Sequence, residues 1–235
     1  MCLNNWGGID HKVLEFHEYV NLFSGKSGSG KSTVMDAIQV ILYGSFSPSF
    51  LNKAADDAKN RRSVLSYLRG EQKDGSANRK DCDFCSVIAL EIEDTGTHII
   101  TCIGIAFEVR KSDSEIKKFV YFSHSGKMPE SEYLTEQGVC YSNQEIKKLV
   151  SARTKSDDNR GKGEVNRIYG SKEAYLGTLY DVILGYIDQN RFITMEKSAI
   201  ALKMTNGTGQ FIRDYMFPKN TSNTCLLYTS PSPRD

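Results

Sequence analysis

Apolar and polar residues alternate over Val13-Leu14-Glu15-Phe16 and again over Tyr19-Val20-Asn21-Leu22-Phe23, which predicts two short strands near the N-terminus. Val34, Ile38, Ile41 and Leu42 then recur at helical spacing with Ala37 between them, and Gly44 is placed to end that helix. Phe84 to Glu93 and Thr97 to Val109 are long strand-like runs joined by the turn sequence Asp94-Thr95-Gly96-Thr97, and Lys118 to Phe122 predicts a third antiparallel strand. From Ser151 to Lys172 the chain is polar with no hydrophobic period, which predicts a loop. Leu176, Leu179, Tyr180, Ile183 and Leu184 form a helical stripe suited to core packing. Beyond it, Ser198 to Lys203 predicts a short strand, and Asn206-Gly207-Thr208-Gly209 a turn into a helix from Gln210 to Phe217 that Pro218 stops.

The first predicted helix is preceded by Gly25-Lys26-Ser27-Gly28-Ser29-Gly30-Lys31-Ser32-Thr33, which satisfies the phosphate-loop pattern G-x-x-x-x-G-K-[ST] in full. Glycines let the backbone wrap phosphate oxygens with N–H groups pointing inward, and the helix that follows adds its positive end. Lys31 is expected at the β- and γ-phosphates, the Ser32 hydroxyl on Mg²⁺, and the Thr33 backbone in the cradle. Lys26 lies inside the loop and reads as a solvated side chain. ATP with Mg²⁺ is therefore the expected ligand. The fold class expected is α/β, a P-loop NTPase with an antiparallel meander beside the nucleotide-binding core. That layer fits ATPase heads of the ABC type better than a small kinase or GTPase.

Length permits one large domain or two small ones among 235 residues, and the expectation is one lobe over 1–220. Lys plus Arg number 30 against 29 Asp plus Glu, so net charge gives no argument for or against a nucleic-acid partner. Within the polar segment, Arg153, Lys155, Arg160, Lys162 and Arg167 could meet a phosphate backbone, but Asp157, Asp158 and Glu164 dilute them. Six irregularly spaced cysteines suggest reduced thiols; Cys82 and Cys85 have metal-ligand spacing but lack a second pair. No apolar run approaches the roughly 18 residues that span a bilayer, so no membrane partner and a cytoplasmic location are expected. Residues 221–235 differ in character from the rest and read as a disordered tail. From Cys225 onward they resemble the translation of a sequencing adaptor.

Three segments carry a family resemblance. Asn5-Trp6-Gly7-Gly8-Ile9-Asp10, leading through the phosphate loop to Asp36-Ala37-Ile38-Gln39, resembles the N-terminal head segment of SMC-like ATPases. Phe50-Leu51-Asn52-Lys53-Ala54-Ala55, with Arg61-Arg62 and Ser66-Tyr67-Leu68-Arg69-Gly70-Glu71, looks closer to the JetC-type ATPases of the Wadjet anti-plasmid systems. Gly209 to Pro218 is similar to the entry into the coiled-coil arm of those proteins. The resemblance implies an ABC/SMC-type head lobe, a head dimer with a second copy, double-stranded DNA as substrate, and kleisin-like and nuclease subunits as partners. It also implies an arginine at Arg69 near DNA or nucleotide, and a magnesium-contacting glutamine at Gln210, with Gln189 as rival. The family's Walker B pair and signature motif have no match here: Asp56-Asp57 and Asp157-Asp158 follow no apolar strand. A different class, a P-loop kinase or transporter-type ATPase acting on a small molecule, is the alternative.

Overall fold

The computed structural model describes residues 1–26, 28–48, 51, 63–72, 75–156 and 165–200, the last four of these by backbone alone. The chain divides into two compact units, Met1–Gln189 and Asn190–Asp235.

The first unit is built on one antiparallel sheet of six strands in the order β2-β1-β3-β4-β5-β6. The strands are β1 (Cys2–Trp6), β2 (Ile9–Val13), β3 (Phe84–Glu93), β4 (Ile100–Val109), β5 (Lys118–Ser125) and β6 (Arg167–Tyr169). The expected hairpin and third strand form as read: β3 and β4 pair over their full ten residues from Phe84↔Val109 to Glu93↔Ile100, and β5 adds to β4. Asp94 closes the turn by accepting the Gly96 and Thr97 amides on one carboxylate oxygen. Gly104 lets the middle strands close up, since a Cβ there would lie 2.4 Å from the Ile88 carbonyl.

Both faces of the sheet are covered. One carries Cys2, Val87, Ala89, Ala106 and Phe122, packed against Ile146 and Val150 of helix α3 (Asn143–Ser156) and against Tyr133 and Cys140 of the preceding segment. A capping box starts α3: the Glu145 amide donates to the Ser142 hydroxyl oxygen, and the Glu145 carboxylate accepts the Ser142 amide at 2.7 Å. The opposite face meets helix α1 (Lys31–Tyr43) and helix α4 (Lys172–Gly177), which continues into a π-helical turn over Thr178–Ile183. Tyr121 of β5 stacks on Tyr175 of α4 at 4.6 Å between ring centres. Helix α2 (Val64–Arg69) lies against β1. Of the second unit, the helix α5 (Gln189–Ile200) is described, beginning at its junction with the first.

Three expectations need correction. The runs Val13–Phe16 and Tyr19–Phe23 do not make two strands; the N-terminal strands are β1 and β2, and from Leu14 to Lys26 the chain has no regular structure. Leu14 exchanges backbone hydrogen bonds with Met1 at 2.8 Å, no strand among the described residues pairs with the chain beyond it, and the Asn21 side chain instead bonds the backbone N–H and C=O of His17 at 2.7 and 2.8 Å. Ser151–Lys172 is not one loop, because α3 runs on to Ser156, Arg167–Tyr169 pairs with β5, and Ser171 caps α4. Local periodicity missed this because Ile146 and Val150 anchor a helix whose last turns are polar on every side. Ser198, Ala199 and Ile200 end helix α5 and start no strand, while 201–203 lie outside the described residues. The same holds for the motif at 52–62, the Asn206–Phe217 turn and helix, and the tail.

Candidate nucleotide site

Gly25, Gly28 and Gly30 adopt φ of 153°, 84° and 88°. A side chain is disfavoured at all three, and a Cβ on Gly25 would stand 2.7 Å from the Ser29 hydroxyl. The Ser29 amide donates to the Lys26 carbonyl at 3.2 Å, tightening the loop. Ser27 lies outside the described residues.

Helix α1 starts at Lys31 with Gly30 as its cap residue, and a glycine has no side chain with which to accept the first amides. First-turn amides that the cap residue does not serve suit an external anionic acceptor. The Lys31 ammonium folds back over the loop and donates to the Gly25 and Lys26 carbonyls at 2.7 and 2.9 Å, with the Ser29 hydroxyl at 3.3 Å. It thus lies over the loop, and Ser32, the next residue along α1, is exposed. A cation, an uncapped helix end and three glycines in left-handed or extended-positive backbone form a donor set that fits a polyphosphate. Ser32 would offer its oxygen to the accompanying Mg²⁺. Lys26 contributes its carbonyl, and its side chain is exposed.

The remaining candidates fall elsewhere. Arg69 ends α2 and donates through Nη2 to the Lys111 and Asp113 carbonyls at 3.1 and 2.5 Å, tying α2 to the β4–β5 connection. Gln189 opens α5; Gln210, Asp56, Asp57, Asp157 and Asp158 lie outside the described residues. Arg153 and Lys155 sit on α3 and Arg167 on β6, with Arg160 and Lys162 undescribed. Cys82 is exposed and Cys85 enters β3; among the described residues no group of side chains could hold a metal ion, and no helix is long and apolar enough to cross a membrane.

Sequence reasoning missed what holds α1. The Trp6 indole donates to the Thr33 carbonyl at 2.8 Å, and Tyr67 of α2 stacks on Trp6 with ring centres 5.0 Å apart while its hydroxyl donates to the buried Asp36 carboxylate. The lone tryptophan beside Gly7-Gly8 was the available signal.

A family model described as the P-loop containing region of AAA domain matches residues 1–58. No curated protein matches the chain. The match spans β1, β2, the glycine loop and α1, and supports a P-loop NTPase region there.

Proposed function

We propose that this chain binds ATP with Mg²⁺ at Gly25–Thr33 and is the N-terminal half of an SMC-like ATPase head, of the JetC type found in Wadjet systems. The nucleotide part rests on one observation: the Lys31 ammonium is drawn over a glycine loop at the open end of α1. On binding, Lys31 exchanges two backbone carbonyls for phosphate oxygens, while the loop and helix amides supply the remaining donors. Magnesium would contribute charge neutralisation between phosphate oxygens, held on the protein side by Ser32.

The half-head reading is supported by the segment leading into the loop. Tyr19, Val20 and Leu22 are 79%, 77% and 88% exposed, an apolar run next to the nucleotide site that pairing with a further strand would cover. In this reading the carboxylates that activate water come from another part of the same polypeptide, two heads close on ATP, and hydrolysis drives a ring that entraps or moves double-stranded DNA alongside kleisin-like and nuclease subunits. The present chain then binds ATP weakly and turns it over negligibly.

Thermal unfolding with and without millimolar Mg-ATP tests the first part. The wild type should gain several degrees, and Lys31→Ala should gain almost none; equal gains would remove the site. Reading the genomic DNA that follows the codon for Phe217 tests the second. Sustained coiled-coil heptads, with neighbouring genes for a kleisin and a nuclease, support the head; a stop codon close after Pro218 eliminates it.

A further inference from the structure

The Trp6–Gly7 corner between β1 and β2 touches two helices at once. Toward α1, the Trp6 indole N–H reaches the Thr33 carbonyl at 2.8 Å, and Gly7 comes so near that a Cβ on it would lie 2.5 Å from the Thr33 methyl. Toward α2, the Gly7 amide donates to the Tyr67 carbonyl at 2.8 Å. Arg79, whose side chain is almost wholly buried, donates to the next carbonyl, Leu68, at 2.9 Å, and its amide serves that of Arg69 at 3.0 Å. The Tyr67 ring lies parallel to Trp6, 7° off, and its hydroxyl reaches across to Asp36, one turn beyond the loop on α1. Thr33 and Asp36 are three residues apart and therefore neighbours on one side of α1. The hydrogen bonds from Trp6 to Thr33 and from Tyr67 to Asp36 thus fix the rotation of that helix about its axis.

We infer that Trp6 and Tyr67 act as a positioning strut: they hold the first turn of α1, and with it Lys31 and Ser32, in register for phosphate, and carry nucleotide occupancy to α2 and its terminal Arg69. Trp6 meets the site at the backbone carbonyl of Thr33, the last residue of the motif. The inference rests on the nucleotide reading above. A helix of six residues has little stability of its own, so α2 depends on these contacts and responds when α1 turns or shifts. By reciprocity, whatever engages α2 alters nucleotide affinity by the same factor.

The full chain provides its own probe, because Trp6 is the single tryptophan. Mg-ATP should change its emission in the wild type. Amide hydrogen exchange over Val64–Arg69 should slow on adding nucleotide, although α2 contributes no residue to the loop. Tyr67→Phe keeps the stacked ring and deletes the hydroxyl. It should weaken Mg-ATP binding about fivefold in calorimetry, the worth of one hydrogen bond, and abolish the protection of α2. Trp6→Phe should do likewise in both measurements. Wild-type affinity and intact α2 protection in either variant would overturn the strut while leaving the site standing. Absence of binding by the wild type would overturn the nucleotide reading and the strut with it.

Discussion

A thiol's reactivity follows its thiolate fraction and its access, and access differs sharply among the described cysteines. Cys2, Cys102 and Cys140 are buried, and burial pushes Cys2 and Cys102 up to about 12 and Cys140 higher still. Half-buried Cys85 is raised to about 11, also by burial. Cys82, one turn before β3, is exposed. Iodoacetamide at pH 8, followed by peptide mass spectrometry, should therefore modify Cys82 within minutes and leave Cys2, Cys102 and Cys140 to react only as fast as the chain unfolds. Modification of Cys102 at the rate of Cys82 would contradict the core assignment. At this same scale the nucleotide loop was legible from sequence, since its chemistry lies in nine consecutive residues whose glycines are demanded by the backbone itself. Trp6, Tyr67 and Asp36 were not, because their meaning arises from pairings 27 and 31 positions apart that no local pattern announces.

Elements are read from periodicity, and they were read well where a strand or helix is stabilised by its own pattern. The β3–β5 meander and α1 are such cases: long runs rich in β-branched and aromatic residues bounded by turn signals on one hand, a 3.6-residue stripe ending at Gly44 on the other. Tyr19–Phe23 has the composition of a strand, but a strand is completed by neighbours, and none among the described residues pairs with it. One element carries a buried titratable group with a clear consequence. His124 of β5 is fully buried beneath the segment that brings Tyr133 over the sheet. Its Nδ1 faces the Ser125 carbonyl at 3.1 Å and so bears the proton, leaving Nε2 to accept the Tyr133 hydroxyl at 2.9 Å. Burial holds its pKa below the ordinary 6.5; the Ser125 carbonyl and Glu91 raise it in part, and Arg153 of α3 lowers it further. The folded state therefore resists a proton that the unfolded chain accepts, so stability is complete above about pH 6.5 and falls as pH drops below it. Urea midpoints should decline between pH 7 and pH 5.5, and His124→Gln, less stable at pH 7, should show a flatter profile. A slope identical to the wild type would show that other groups govern this window.

At the scale of the whole first unit, the sheet matters to function through the way it holds α1. Each helix ends in carbonyls that lack partners within the helix, and three tyrosines from the sheet and the chain following it meet those of α1. Tyr121 of β5 donates to the Gly44 carbonyl at 2.6 Å, Tyr175 of α4 to Ile41 at 2.9 Å, and Tyr180 of the π-helical turn to Leu42 at 3.0 Å. All three hydroxyls are held protonated by burial, Tyr121 and Tyr180 pushed up to about 12 and Tyr175 further. The glycine loop thus stands at one end of a helix whose other end is bolted to elements up to 138 positions away. Sequence reading placed Leu176, Leu179 and Tyr180 in a core stripe but could not see this role, because a tyrosine at a helical spacing looks the same whether its hydroxyl is solvated or spent on a distant carbonyl. Tyr175 offers the cleanest test, being completely buried. Tyr175→Phe preserves the ring stacked on Tyr121 and strands the Ile41 carbonyl away from water, a loss of about 1–3 kcal/mol. Urea unfolding followed by circular dichroism should show a lower midpoint at unchanged slope. The same change at exposed Tyr186, 85% accessible, should leave the midpoint where it was. Equal midpoints for wild type and Tyr175→Phe would mean that the end of α1 is satisfied by water, and that the helix is held by apolar packing alone.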